Sequence, residues 1–229
     1  MKKEELSPIK TIVFEPPVVE ARLKSWFPDL SAASLKVLVS YQGELLRFNK
    51  TANVIPSSML KNIEGLVVAD AVLAARLIEP ALLPQVPLFD FDGGTGTPGL
   101  VLACLFPARS VVILDRDARK LEFCNSFAKS VGLKNLAVQL VSGDEIAANS
   151  VKSAIIRTAA PFARVLLSNR KAVAKGGRFF HIRSDGWANE LANMPSQVFT
   201  HWMPQLLGKY RIPETATEFF VVLTEKVSD

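Results

Sequence analysis

The sequence predicts an α/β fold: a mostly parallel seven-stranded sheet with helices on both faces, a terminal antiparallel hairpin and an N-terminal helical extension. Three observations predict it. A glycine-rich run, Asp90-Phe91-Asp92-Gly93-Gly94-Thr95-Gly96-Thr97-Pro98-Gly99, follows a short apolar strand and leads into a helix. From Leu88 onward, short β-rich runs alternate with helical stretches. The last two extended runs are joined by a Gly/Pro-containing segment without a helix.

Each element has its own signal. Val18 to Trp26 and Leu35 to Phe48 carry apolar residues at helical spacing, with Ser31 and Ser34 available as caps, and this first third lacks strand signals. Strands are expected at Leu88 to Phe91, Ser110 to Leu114, Leu136 to Val141, Ala154 to Ile156 and Phe179 to Ile182. Gln197 to Trp202 and Glu218 to Thr224 are expected to form the hairpin. Residues 1–64 are assigned to the helical extension and 65–229 to the sheet domain.

Composition narrows the class. At 229 residues, 49% hydrophobic, the chain can fill one sizeable core. The Met1-Lys2-Lys3-Glu4-Glu5 start lacks the apolar segment of a signal peptide, and the most apolar stretch, Gly65 to Phe89, is broken by Asp70, Arg76, Glu79 and prolines. No membrane span is expected. Cys104 and Cys124 fall in predicted helices with no Cys/His cluster beside them, so the expectation is reduced thiols, no metal and a cytoplasmic location. A net charge of +5 favours a polyanionic partner, and Arg157, Arg164, Arg170, Lys171, Lys175, Arg178 and Arg183 give a basic second half. A solvated helix surface would have the same composition.

The glycine run reads as a ligand loop. Glycines permit positive φ and close approach to a ligand, and Pro98 suits the first turn of a helix whose free N–H groups face the bound molecule. Asp115 ends the next strand, about 20 residues past the loop, where an acidic group meets a ribose hydroxyl. Gly94, Gly96 and Gly99 satisfy the dinucleotide pattern of nicotinamide-dependent oxidoreductases. An acidic residue closing the strand, here Asp90, is instead the start of a methyltransferase loop, whose glycines make room for the amino-acid end of S-adenosylmethionine. A terminal hairpin also favours the Rossmann-like methyltransferases, since dehydrogenases tend to continue the parallel winding.

Several spaced segments resemble one family, the bacterial small-subunit ribosomal RNA methyltransferases also called glucose-inhibited division protein B. Leu45-Leu46-Arg47-Phe48-Asn49-Lys50-Thr51-Ala52-Asn53-Val54 is similar to the family's aromatic-Asn-Lys-x-x-Asn-Leu segment. Asp90 through Gly99 resembles its loop, including the Pro-Gly ending, and Leu114-Asp115 followed by Arg119-Lys120-Leu121-Glu122-Phe123 resembles its next strand and helix. Gly132-Leu133-Lys134-Asn135, Asp144-Glu145, Arg157 and Gly176-Gly177-Arg178-Phe179-Phe180 keep the family order. The chain departs from the pattern at Asp92, where the family has its first loop glycine, at Val67, where a histidine precedes Asp70, and at Arg183, which replaces a lysine.

The resemblance implies methyl transfer from S-adenosylmethionine to N7 of a guanosine in 16S ribosomal RNA, free or in a small-subunit precursor. It places Asp90, Asp92, Gly94, Gly96, Thr97, Asp115, Gly143, Asp144 and Arg157 at the cofactor, with Asp115 on the ribose and Gly143 and Asp144 beside the adenine. Arg157 is read either at the methionine end or at the guanine oxygen. Asn49, Lys50, Asn53 and Arg183 are candidates for RNA contact, with helix capping the competing role for the two asparagines. Because Asp92 sets a charge where the cofactor passes, a protein of the same fold that binds RNA without turnover is the alternative; nicotinamide-dependent oxidoreduction ranks last.

Overall fold

In the computed structural model, which describes residues 13–141 and 145–228, the N-terminal third is helical as its periodicity requires. Helix α1 (Pro16–Trp26) starts on a proline, and α2 (Ala32–Ala52) is capped by Ser31, whose Oγ accepts the Ser34 N–H at 3.0 Å. After α3 (Ser57–Leu60), a π-helical turn (Glu64–Ala69) runs directly into α4 (Asp70–Ile78). The expected division between residues 64 and 65 therefore falls inside continuous helix.

The sheet follows. Its strands are β1 (Leu88–Phe91), β2 (Val111–Asp115), β3 (Leu136–Leu140), β4 (Val151–Arg157), β5 (Val173–Arg183), β6 (Trp202–Arg211) and β7 (Glu218–Lys226). Helices α5 (Gly99–Leu105), α6 (Ala118–Val131) and α7 (Phe162–Asn169) are the crossovers; α8 (Trp187–Ala192) and α9 (Ser196–Phe199) precede the hairpin. Strand order is β3-β2-β1-β4-β5-β7-β6, parallel from β3 to β5 and antiparallel for β7 and β6. The chain winds outward from β1 to β3, then returns to lay β4 on the other side of β1. That reversal makes the carboxyl ends of β1 and β4 a topological switch point, where open α/β sheets bind ligands.

The first hairpin strand differs from expectation. Gln197 to Trp202 is not extended: Ser196–Phe199 is helical and β6 begins only at Trp202. Val198 and Trp202, four apart, are both buried on one side, as a helical turn into a strand allows.

Packing makes the N-terminal helices part of the domain. Leu23, Leu38, Tyr41 and Leu45 share one core with Leu100, Val101, Leu121 and Phe127 of α5 and α6. On the opposite face, Phe162, Val165 and Leu166 of α7 pack with Phe91, Ile156, Phe179 and Trp202. A third cluster seats Ala74, Ala75 and Ile78 of α4 on Leu88, Phe180, Val221 and Tyr210. Side-chain polar groups complete the joints: Asn135 Nδ2 donates to the carbonyls of Ala103, Phe106 and Arg109 at 2.9, 3.1 and 2.9 Å, tying the end of α5 to the start of β3. Both cysteines are buried and unpaired, and among the described residues no helix is long and apolar enough to cross a membrane.

His181, in the middle of β5, is buried, with Nε2 2.9 Å from Thr224 Oγ1. Burial and then the Arg183 charge push it from its ordinary 6.5 down to about 3. A depressed histidine stabilises the fold fully above about pH 6.5 and loses that contribution as pH falls toward 3. Urea unfolding across this window should show His181→Leu losing less stability per pH unit than the parent, by up to ~1.4 kcal/mol for one proton. Equal slopes would mean that His181 is not buried neutral.

Candidate functional site

The loop between β1 and α5 takes its shape from backbone geometry and two carboxylates. Gly94 and Gly96 have φ of +56° and +103°, conformations that side chains resist. Asp90 lies fully buried beneath the turn, and its Oδ2 accepts the Gly99 N–H at 2.7 Å. A Cβ on Gly93 or Gly99 would lie 2.6 Å from that oxygen, so both glycines are required by the carboxylate under them. Burial, with the charges of Asp92 and Asp115 adding to it, raises Asp90 to about 8 against the opposing Gly99 hydrogen bond. Asp90, expected at the cofactor, is fully buried beneath the turn, where it supports the loop through Gly99.

Asp115 holds the other end. Its Oδ2 accepts the Gly94 N–H and its Oδ1 the Asp117 N–H, both at 2.8 Å. An ionised carboxylate has about four acceptor positions, so two remain for a ligand. Helix α6 is capped by Asp117, whose Oδ1 accepts the Arg119 N–H at 3.0 Å; Asp115 is not its cap.

Tyr41 of α2 pins the loop from the far side. Its hydroxyl is 3.1 Å from the Thr95 carbonyl and 2.7 Å from Thr97 Oγ1. Because the carbonyl can only accept, the tyrosine proton goes there and Thr97 is the donor to Tyr41. The Thr97 hydroxyl is thus engaged within the protein. Cys124 of α6 lies under the same turn, Sγ 3.6 Å from the Gly94 carbonyl. Nothing in the sequence distinguishes Tyr41 from the other apolar-face residues of α2, which is why its role was not legible.

Two clefts open beside the loop. A cleft of about 620 Å³ lies at the carboxyl ends of β1, β2 and β4, bounded by Phe91, Leu114, Val141, Ile156 and Thr158, with Arg116 and Arg164 on its wall. This is within the range of small-molecule sites, ~300–1,000 Å³. A smaller one of about 130 Å³ lies between the glycine loop and the segment Val54-Ile55-Pro56, with Lys120 and Arg157 on its wall. Asp92 lines both. It is exposed and holds a left-handed φ of +53° without being glycine.

The remaining expected residues are dispersed. Arg157, at the end of β4, pairs through Nε with the buried carboxylate of Asp70 and lines the smaller cleft. Asn49 Oδ1 accepts the Ile55 N–H at 2.8 Å, and Asn53 caps α2 in a left-handed conformation with its N–H on the Asn49 carbonyl. These two asparagines shape the segment over the smaller cleft, while Lys50 is exposed beside them. Arg183 is not available as an RNA cation: it is 5% exposed, donates to the Thr158 and Ala160 carbonyls at 3.0 and 2.8 Å, and forms a forked pair with Glu190 at 2.7 and 2.8 Å. Two further second-half cations are engaged within the protein: Arg178 bonds the Ala81 carbonyl and Arg170 reaches His201. Gly143 and Asp144 lie outside the described residues. Among the described residues no cluster of three or more metal-ligating side chains occurs.

With this geometry in view, comparison with known proteins is specific. The family described as rRNA small subunit methyltransferase G matches residues 34–209. The chain belongs to that family. It is 34% identical over 93% of its length, and 96% of the other chain, to ribosomal RNA small subunit methyltransferase G 3 of Bdellovibrio bacteriovorus. It is 27% identical over 84% of its length, and 92% of the other, to ribosomal RNA small subunit methyltransferase G of Halorhodospira halophila. Among solved structures, the tRNA (m1A58) methyltransferase of Aquifex aeolicus superposes with a TM-score of 0.52 at 13% identity, covering 70% of this chain and 69% of the other, a likeness of fold. The family thus accounts for the sheet order with its terminal hairpin, and the Rossmann-like methyltransferase class read from the sequence holds.

Asp92 is the one position of the loop that holds a left-handed backbone without being a glycine. Asp92→Gly should stabilise the protein by about 1 kcal/mol by removing a side chain from a left-handed backbone. A rise in the urea midpoint at constant slope would show this; a fall would mean that the Asp92 carboxylate makes a stabilising contact.

Proposed function

We propose that this protein, a member of the rRNA small subunit methyltransferase G family, methylates N7 of a guanosine in 16S ribosomal RNA, free or within a small-subunit precursor in the cytoplasm. The observation that carries the reading is Asp115: a carboxylate at the end of β2, held by two backbone N–H groups, with acceptor positions left over beside a positive-φ glycine turn. This chemistry fits S-adenosylmethionine. The two free acceptor positions suit the paired hydroxyls of a ribose, Gly94 lets an amino-acid end approach the backbone, and the 620 Å³ cleft has room for an adenosine. The family resemblance reads Gly143 and Asp144 for the adenine; both lie outside the described residues.

Bound S-adenosylmethionine supplies an electrophilic methyl group on a sulfonium. Guanine N7 already has a free lone pair, so the protein needs no general base. Neither histidine stands at the site: His181 bonds Thr224, and His201 bonds Arg170 and Ser228. The residues act by holding the base in line, which converts a bimolecular encounter into a positioned one. Arg157, on the wall of the smaller cleft, is the cation for the guanine O6 alone, which leaves the N7 lone pair free to meet the methyl group. Lys120 lies beside it, and exposed Lys50 at the end of α2 is placed to meet phosphate. Asp92 lines both clefts, so on this reading it borders the cofactor and the target alike.

Calorimetry with S-adenosylhomocysteine, together with filter binding of small-subunit RNA over a salt series, tests the assignment. Asp115→Ala should weaken S-adenosylhomocysteine binding by about 1–3 kcal/mol while leaving RNA affinity and its salt slope unchanged. Unchanged cofactor affinity would remove Asp115 from the site. A parent protein that binds RNA but no S-adenosylhomocysteine would instead be the inactive RNA-binding alternative that Asp92 raises.

A further inference from the structure

We propose that Tyr210 is a positioning residue for Arg157, acting through the buried carboxylate of Asp70. The inference rests on the reading of Arg157 as the cation that meets the target base. It concerns a residue just beyond the family match, which ends at residue 209.

Arginine is a long side chain, and at the end of a strand its guanidinium has many rotamers to choose from. Here three contacts restrict it. Its Nε is paired with Asp70 Oδ2, its Nη2 lies 3.5 Å from the Leu66 carbonyl, and the guanidinium carbon stands 5.1 Å over the Phe219 ring. Asp70 is the strongest of these restraints, but a carboxylate fixes a partner only if its own plane is fixed. Asp70 is fully buried, and its second oxygen accepts the Tyr210 hydroxyl at 2.6 Å. With both oxygens occupied, rotation of the carboxylate would break one bond or the other. The hydroxyl sets the carboxylate plane, and the carboxylate sets the guanidinium.

Tyr210 comes from β6, 140 residues away in the chain, and Phe219 from β7. The terminal hairpin thereby reaches the smaller cleft without touching its contents. Burial pushes Asp70 up, and its two partners, Arg157 and Tyr210, pull it back. A buried carboxylate with one oxygen unpaired would be costly, so the Tyr210 hydroxyl also has a structural function, and the test has to separate the two.

The test is a double-mutant cycle on the full chain with S-adenosylmethionine and small-subunit RNA, reading kcat and KM beside the urea midpoint and S-adenosylhomocysteine affinity. Tyr210→Phe keeps the ring and removes only the hydroxyl. It should lower kcat/KM for RNA about tenfold, the rate equivalent of one hydrogen bond, with cofactor affinity unchanged. Arg157→Lys should lower it at least as much, and the double variant should be no worse than Arg157→Lys alone, because the hydroxyl then has no guanidinium to position. Effects that multiply, or a Tyr210→Phe protein with a lowered urea midpoint but parental kinetics, would reduce Tyr210 to a structural residue. Parental kinetics in Arg157→Lys would overturn the reading of Arg157 itself, and this proposal with it. If Tyr210→Phe does not fold, Asp70→Asn enters the same cycle with the same expected non-additivity.

Discussion

Two carboxylates hold the glycine loop from opposite ends, and the geometry of the site depends on them. Asp90 bonds the N–H of Gly99 from below, and Asp115 bonds the N–H of Gly94 from the side. Between those anchors the backbone turns back on itself, with the Gly96 N–H on the Gly93 carbonyl at 2.9 Å and the Leu100 N–H on the Gly96 carbonyl at 2.7 Å. Asp90 has one oxygen without a partner and lies near two further carboxylates, an arrangement that raises its proton affinity. That unfavourable arrangement is retained where two glycines make space for it, so the loop's composition follows from the carboxyl group beneath it.

The helices before the sheet are fastened to this loop and to the strand opposite it. Tyr41 joins α2 to Thr95 and Thr97, and Asn49 and Asn53 shape the segment that covers the smaller cleft. From the next helix, Asp70 reaches Arg157 at the end of β4 and Tyr210 in the hairpin. The two walls of the smaller cleft are therefore held by residues of four distant segments, and a change in any of them is felt at Arg157 or at the loop.

Legibility in the sequence followed the range of the interactions. The loop, the central strands and Asp115 were readable because glycine, β-branched runs and the spacing of an acidic residue act locally. Cap residues Ser31 and Asn53 were readable for the same reason. The start of the hairpin was not, because β6 is a half-exposed edge strand containing Pro204 and Gly208, with little alternation to mark it, while the helical turn before it buries Val198. Arg183 was misread because its partner Glu190 arrives with the following helix, and a strand-end arginine looks the same in sequence whether paired or free. The supporting contact of Asp90 was not readable, since burial under a turn cannot be inferred from its neighbours. Tyr41 and Tyr210 were invisible because their hydroxyl partners lie 54 to 140 residues away.

The central claim is that this geometry positions guanine N7, and one measurement addresses it. Small-subunit RNA from a strain lacking the activity, incubated with the protein and isotopically labelled S-adenosylmethionine, can be digested to nucleosides and resolved by mass spectrometry. Label appearing in 7-methylguanosine, in a single fragment of the 16S RNA, is the predicted result. Label on another atom or another base, or none transferred by a protein that binds both S-adenosylhomocysteine and the RNA, would contradict it.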